Sequence, residues 1–145
     1  PYFVPDQTIM DLLTIQMASG VRVKIMIPGN PDHPFVFPAA MFYLGRLANK
    51  GAEVYLYRYG FIHTKTILVD DDLSTVGSAN MDNRSFRLNF ESNAIMYSKE
   101  VNKKLKDQFY EDVKNSSLMT YEDYEKRPLS LKIKESISKL LSPIL

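Results

Sequence analysis

The first half of the chain alternates between helical and strand-like spacing of its apolar residues. Asp6 can cap a helix that runs to about Ser19, in which apolar side chains recur every four residues before a glycine ends the helix. Residues 21–27 alternate and are rich in β-branched side chains, which predicts a strand that a Pro-Gly pair ends. A second helical stripe stops near Gly51, and residues 52–57 form the next predicted strand. That stripe consists of Val36, Ala40, Tyr43, Leu44 and Leu47.

Short apolar segments in the middle of the chain predict antiparallel strands. Residues 63–69 and 73–76 are separated by three consecutive aspartates, a composition typical of a hairpin turn. Residues 77–89 are small and polar, and their pattern predicts neither helix nor strand. Residues 90–97 then form a further predicted strand.

Two apolar stripes near the C-terminus predict two amphipathic helices. The first begins near Lys99, and the second follows Pro128. Their stripes are Val101, Leu105, Phe109 and Val113, then Ile133, Ile137, Leu140, Leu141 and Ile144. Helices and strands that alternate from the N-terminus onward indicate a largely parallel layer with right-handed crossovers. We therefore predict the α/β class, with residues 1–145 as one lobe in which a mixed β-sheet is flanked by helices on both faces.

Composition narrows the function classes. A chain of 145 residues makes one domain, and its net charge of +1 argues against a protein that coats nucleic acid. The absence of cysteine excludes disulfides, zinc–thiolate sites and thiol nucleophiles, and two histidines argue against an imidazole metal site. No apolar run reaches the roughly 18–20 residues of a membrane span. The opening at Pro1 indicates a piece of a longer polypeptide.

The strongest chemical signal is a histidine two residues before a lysine. In a strand that begins at His63, the side chains of His63 and Lys65 point to the same face, about 7 Å apart. Burying both side chains beside apolar neighbours without an anion would cost a large desolvation free energy. The alternative is that this end of the strand is simply exposed. The shared strand face alone does not decide between an anion-binding site and an exposed strand end.

Two further segments carry groups that suit a phosphoryl site. Gly77-Ser78-Ala79-Asn80 offers a close backbone approach, a hydroxyl and an amide, although the same four residues also suit an ordinary loop. Glu91 in an apolar strand needs a partner, and by accepting the Nδ1 proton of His63 it would leave Nε2 available as a nucleophile. The alternative is a strand-edge glutamate that faces water.

Together these residues resemble the signature of the phospholipase D superfamily, H-x-K-x4-D followed six residues later by G-S-x-N. Here the signature reads His63, Lys65, Asp70 and then residues 77–80. Glu91 matches the later carboxylate of the family. Over nearly the whole chain, and most strongly from 59 to 98, the sequence is similar to the C-terminal half of bacterial cardiolipin synthases. One departure is that a single H-x-K is present, because His33 precedes a proline and has no lysine two residues on.

The resemblance implies a two-step displacement at phosphorus without metal or cofactor, in which one histidine becomes phosphorylated and a second acts as general acid and base. Because only one motif is present, the chain would hold half an active site. It implies that His63 is the general acid–base, that Lys65 and Asn80 hold the phosphate and that Ser78 assists. Glu91 would orient His63, and Asp70 would serve either structure or chemistry at the end of its strand.

The leading expectation is thus the C-terminal catalytic lobe of a cardiolipin synthase-like phosphatidyltransferase, which converts two phosphatidylglycerols to cardiolipin and glycerol. The alternative is a phospholipase D-type phosphodiesterase or nuclease that pairs two copies of this chain, and a non-catalytic phosphate-binding lobe is a third hypothesis. Expected partners are phosphatidylglycerol and other anionic phospholipids, a missing N-terminal lobe or a second copy, and a membrane surface, but not nucleic acid. The fragment would itself be soluble, and segments outside it would attach the protein to the bacterial cell membrane.

Three other features have two interpretations each. The aspartates at 70–72 suit a divalent cation, but they more often form a solvated turn. Arg84 and Arg87 could contact a headgroup phosphate or simply face water. The last predicted helix carries lysines beside its apolar stripe, which fits an anionic membrane, although docking on its own domain is the commoner use. Those lysines are Lys132, Lys134 and Lys139.

Overall fold

The computed structural model describes residues 1–30 and 32–141, in which helices and strands alternate along most of the chain. The strands are β1 (Phe3–Val4), β2 (Lys24–Pro28), β3 (Glu53–Tyr57), β4 (Lys65–Val69), β5 (Leu73–Gly77), β6 (Met81–Asp82), β7 (Asn93–Tyr97) and β8 (Ser116–Met119). The helices are α1 (Gln7–Ala18), α2 (Val36–Ala48), α3 (Asn83–Arg87), α4 (Lys99–Lys114), α5 (Tyr121–Glu125) and α6 (Leu129–Leu140).

The strands belong to three small sheets. β2 and β3 pair in parallel, as predicted for the first half, and β8 adds to β3 in the antiparallel direction. β4, β5 and β7 form an antiparallel sheet in that order, and β1 pairs in parallel with β6. The predicted α/β lobe with helices flanking its strands is confirmed, and its mixed pairing is divided among separate sheets.

The helix boundaries follow the predicted signals. Asp6 caps α1 by accepting a hydrogen bond from the backbone N–H of Ile9 at 3.0 Å. Gly20 follows α1 with a φ of 93°, the left-handed conformation that glycine adopts without strain. Ser98 caps α4 through Val101, close to the predicted start at residue 99.

The core lies between α2 and the β2–β3–β8 sheet. Leu44, Leu47 and Val54 are fully buried there, together with Val4 from β1. Gly45 of α2 is required by close packing, because a Cβ on it would lie 2.1 Å from the ring of Tyr124.

Several boundaries differ from the predictions. β4 begins at Lys65 and β7 begins at Asn93, so the predicted strands over 63–69 and 90–97 start too early. The stretch predicted to be irregular contains β6 and α3, and the sequence analysis missed β8. Ile144, assigned to the last apolar stripe, lies outside the described residues.

Candidate active site

One end of the β4–β5–β7 sheet gathers most of the predicted site residues. Lys65, Gly77 and Asn93 are direct neighbours across the three strands, which places them at about 5 Å spacing. His63 lies two residues before β4, and Ser78 follows β5 directly. The fold therefore brings the H-x-K and G-S-x-N segments to the same edge.

His63 stands on exposed chain before β4, so the shared strand face assumed for His63 and Lys65 is corrected. The two residues are joined differently, because the Nζ of Lys65 donates to the backbone oxygen of His63 at 3.0 Å. The ring of Phe61 lies 5.7 Å from that of His63. Desolvation and the nearby Lys65 ammonium lower the pKa of His63, so its imidazole is neutral at neutral pH.

Lys65 places an ammonium group at this edge. Desolvation lowers its pKa, while the charges of Glu91 and Asp82 act in the opposite direction. A partly desolvated ammonium between two carboxylates and an open edge is suited to an incoming anion, because it has given up part of its hydration already.

The segment after β5 is held by hydrogen bonds to the chain before β7. The N–H of Ser78 donates to the backbone oxygen of Ser92 at 3.0 Å, and the N–H of Ser92 donates to Ser78 Oγ at 3.0 Å. The N–H of Ala79 donates to Asn93 Oδ1 at 3.2 Å. Gly77 permits this packing, since a Cβ there would lie 1.9 Å from Asn93 Oδ1.

Ser85 links Asn80 to Glu91. The backbone N–H of Asn80 donates to Ser85 Oγ at 3.0 Å, and that hydroxyl donates to Glu91 Oε1 at 3.4 Å. Ser85 is buried at the start of α3, where its own N–H donates to Asp82 Oδ1 at 2.7 Å. The side-chain oxygen of Asn80 is buried and accepts no hydrogen bond within the described chain. An acceptor without a donor at this edge is an available contact for a ligand hydroxyl or N–H.

Glu91 lies in the loop before β7, and not within an apolar strand as predicted. Hydrogen bonds from Ser78 and from Asn89, the latter at 3.0 Å, hold the pKa of its carboxyl below the usual value. Among the described residues, no hydrogen bond joins His63 to Glu91, so the predicted Nδ1–carboxylate contact is not formed here. The charge of Lys65 also contributes to the lowered pKa of Glu91.

Asp70 is the predicted site residue that the structure does not bring to this edge. It occupies the hairpin turn between β4 and β5 with a φ of 50°, about 17 Å along the strand from Lys65. Lys106 of α4 donates to the backbone oxygen of Asp70 and forms an ion pair with Asp71 at 2.6 Å. Residues 1–30 and 32–141 contain no cluster of three acidic or histidine side chains able to hold a metal ion.

Sequence reasoning missed Asp82, Ser85, Asn89 and Asn93. A signal for Asp82 was present, because aspartate is a preferred residue at the N-cap of a helix. His33, the second histidine, has a local structural role: its Nδ1 accepts hydrogen bonds from the N–H groups that open α2.

None of the helices in the described ranges combines the length and the apolarity that crossing a bilayer requires.

Comparisons with known proteins show to which family the chain belongs. The family described as "Cardiolipin synthase, PLD-like domain" matches residues 1–113. The chain is 55% identical over its whole length to the major cardiolipin synthase ClsA of Bacillus subtilis (strain 168) and 50% identical to the cardiolipin synthase of Oceanobacillus iheyensis. It spans about 30% of the length of each of these relatives.

Two solved structures share the fold. The phospholipase D family member Nuc from Salmonella typhimurium aligns with a TM-score of 0.70 at 22% identity, over 82% of this chain and 78% of that one. The phosphatidylserine synthase of Haemophilus influenzae Rd KW20 aligns with a TM-score of 0.73 at 19% identity, over 100% of this chain and 40% of that one. The family match over residues 1–113 shows that the chain belongs to the cardiolipin synthase, phospholipase D-like domain family.

Proposed function

We propose that this chain is the C-terminal catalytic lobe of a longer, two-lobe phosphatidyltransferase that makes cardiolipin and glycerol from two phosphatidylglycerols. The proposal rests on one observation: the H-x-K and G-S-x-N segments lie at the same end of the β4–β5–β7 sheet, in a chain that is 55% identical to a cardiolipin synthase. A neutral imidazole, a partly desolvated ammonium and an unpaired amide oxygen are the groups that a phosphodiester substrate with a hydroxylated headgroup requires.

The proposed reaction has two displacements at phosphorus. In the first, a histidine nitrogen forms a P–N bond, the P–O bond to one glycerol breaks, and the leaving oxygen takes a proton from the second histidine. In the second, a hydroxyl of another phosphatidylglycerol gives its proton to that second histidine and forms a P–O bond as the P–N bond breaks. His63 supplies one of the two imidazoles and acts as the acid and base. A phosphate beside its ring favours the protonated form, because an opposite charge raises its pKa.

The other residues of the edge position the phosphate. The Lys65 ammonium and the side-chain NH2 group of Asn80 donate to the phosphate oxygens, and the unpaired Asn80 side-chain oxygen accepts from a headgroup hydroxyl. Ser78 keeps the G-S-x-N segment against the chain before β7. In this lobe Glu91 interacts electrostatically with the Lys65 ammonium. Glu91 would contact His63 only if the partner lobe or the substrate moved one of these two residues. Asp70 stabilises the hairpin turn and takes no part in the chemistry.

The histidine that forms the P–N bond is proposed to come from a second lobe. The face of the β4–β5–β7 sheet that carries Lys65 also carries four large apolar side chains, and they are 44 to 84% exposed. They are Ile67, Val69, Ile95 and Tyr97. A continuous apolar sheet face next to half an active site is suited to burial against another lobe. The proposed partners are that lobe, anionic phospholipids and the bacterial cell membrane in which they lie.

Product analysis tests this proposal. The whole protein that carries this lobe is incubated with phosphatidylglycerol labelled in its headgroup, and lipids and free glycerol are quantified. Equal amounts of cardiolipin and glycerol are expected, with little phosphatidic acid. Phosphatidic acid as the main product would overturn the transferase and support a phospholipase D-type phosphodiesterase, and a single H-x-K per chain with activity only as a dimer would support its homodimeric form.

A further inference from the structure

The last helix, α6, packs against α2 with its polar side. Glu135 and Ser138 are buried at this contact, and Lys132 and Lys139 lie partly buried beside them. Glu135 forms an ion pair with Arg127 at 2.6 Å and accepts a hydrogen bond from the Tyr124 hydroxyl at 3.2 Å. These contacts fix the rotation of α6 about its own axis.

The apolar stripe of α6 therefore points outward. Leu129, Ile133, Ile137 and Leu140 are 70, 51, 54 and 74% exposed. Their spacing of four, four and three residues keeps them on one side of the helix, within about 80° of arc at 3.6 residues per turn. The commoner arrangement, in which such a stripe docks on its own domain, is not the one found here.

Lysines border this stripe on both sides. At 100° per residue, Lys132 and Lys139 lie about 100° to one side of its centre, and Lys134 lies about as far to the other side. Lys132 pairs with Glu125 at 3.3 Å, and the Nζ of Lys139 lies 5.5 Å from the ring centroid of Phe42. Glu135 is the only acid of α6 and it is buried, so the outward side of α6 carries the apolar stripe with Lys134 exposed at one border, and Lys132 and Lys139 partly buried at the other.

We propose that α6 is an interfacial helix that docks this lobe on an anionic phospholipid surface, with its four apolar side chains among the acyl chains. The bordering lysines are placed to reach the lipid phosphates, as long cationic side chains do beside an apolar surface. The helix is about 18 Å long, against about 30 Å of hydrocarbon, so it lies along the surface. The choice of phosphatidylglycerol as the anionic lipid rests on the proposed function, whereas the docking face rests on the helix alone.

Vesicle co-sedimentation of the whole 145-residue chain tests the apolar face. The variant Ile133→Ser/Ile137→Ser is compared with Leu12→Ser/Ile15→Ser, in which the same change is made at α1 residues that are 54 and 57% exposed. With phosphatidylglycerol in the vesicles, the α6 variant is expected to lower the partition coefficient roughly tenfold or more, and the α1 variant is expected to leave it unchanged. Circular dichroism establishes that both variants are folded. Equal binding of the α6 variant and the parent chain would overturn the proposal.

A charge variant tests the choice of surface. Lys134→Gln/Lys139→Gln is expected to weaken binding roughly fivefold per lysine on anionic vesicles, and to leave the weaker binding to pure phosphatidylcholine unchanged. Lys103→Gln/Lys104→Gln on the exposed face of α4 is the matched control. Added salt is expected to remove the difference between the α6 variant and the parent.

A reporter distinguishes the bilayer from another occupant. The chain has no tryptophan, so Ile137→Trp gives a single indole signal, and we expect a blue shift and resistance to aqueous quenchers with anionic vesicles. If that shift appears without lipid, on joining this lobe to the rest of the protein, then α6 is a lobe interface and the proposal is wrong. If the Ile133→Ser/Ile137→Ser variant of the whole protein loses vesicle binding but still forms cardiolipin normally in detergent, docking by α6 is confirmed separately from catalysis. A parent protein that binds vesicles but makes no cardiolipin would contradict only the proposed function.

Discussion

Removal of one buried hydroxyl is predicted to loosen the phosphate-binding edge. Ser85→Ala deletes the acceptor of the Asn80 N–H at 3.0 Å and a donor to Glu91, but it keeps the backbone N–H that Asp82 caps. The helix start is therefore preserved. The Asn80 N–H is left partly buried without a partner, which costs about 1–3 kcal/mol in the free energy of unfolding.

Urea unfolding followed by circular dichroism measures this loss, and amide NMR locates it. The Asn80 amide resonance is expected to shift and to exchange faster with solvent, because its hydrogen bond is gone. Ser136→Ala is the matched control, since its exposed hydroxyl bonds only within α6, and its stability is expected to change by less than about 0.5 kcal/mol. A Ser85→Ala chain as stable as the control, with the Asn80 resonance unmoved, would refute the link between α3 and the G-S-x-N segment.

Two further predictions concern charge. Arg127→Met leaves Glu135 buried without its cation, and urea unfolding is expected to show a loss of about 3–5 kcal/mol in the free energy of unfolding. Lys104→Met, at an exposed ion pair, is the control and is expected to have no measurable effect. Equal effects of the two variants would contradict the burial of the Arg127–Glu135 pair. Lys65→Met removes a positive charge beside His63, so the pKa of His63 is expected to rise in an NMR titration of the variant relative to the parent chain. An unchanged or lower pKa would show that the Lys65 ammonium does not lower the pKa of His63.

The helices of the first half could be predicted because their end signals are local. The carboxylate of Asp6 and the conformational freedom of Gly20 act within a few residues of α1, so the sequence contains the information that sets both ends. The β4–β5 hairpin was predictable for the same reason, since the aspartates between two apolar segments determine a turn.

The starts of β4 and β7 depend on contacts that sequence patterns do not show. In the β4–β5 register His63 would face Ala79, but the Ala79 N–H bonds to the side chain of Asn93 instead, and the ladder ends. On the other side Ser78 Oγ replaces a backbone acceptor for Ser92. Side-chain hydrogen bonds therefore end both ladders at the edge that carries the site, and His63 and Glu91 lie on irregular chain.

The orientation of α6 was not predictable from its amphipathic pattern either. The pattern indicates two unlike faces, but which face packs inward depends on Arg127 and Tyr124, which lie outside the helix and hold Glu135. Likewise β8, with the sequence Ser-Ser-Leu-Met, has little strand propensity and is formed by pairing with β3.

The rate of cardiolipin formation by histidine variants of the whole protein shows whether His63 takes part in the displacement. His63→Ala is predicted to reduce the rate by at least about a thousandfold, because it removes one of two groups that the displacement needs. His33→Asn keeps a side-chain acceptor at the start of α2 and is predicted to retain the parent rate. Substantial activity in a folded His63→Ala protein would show that His63 is not a catalytic residue.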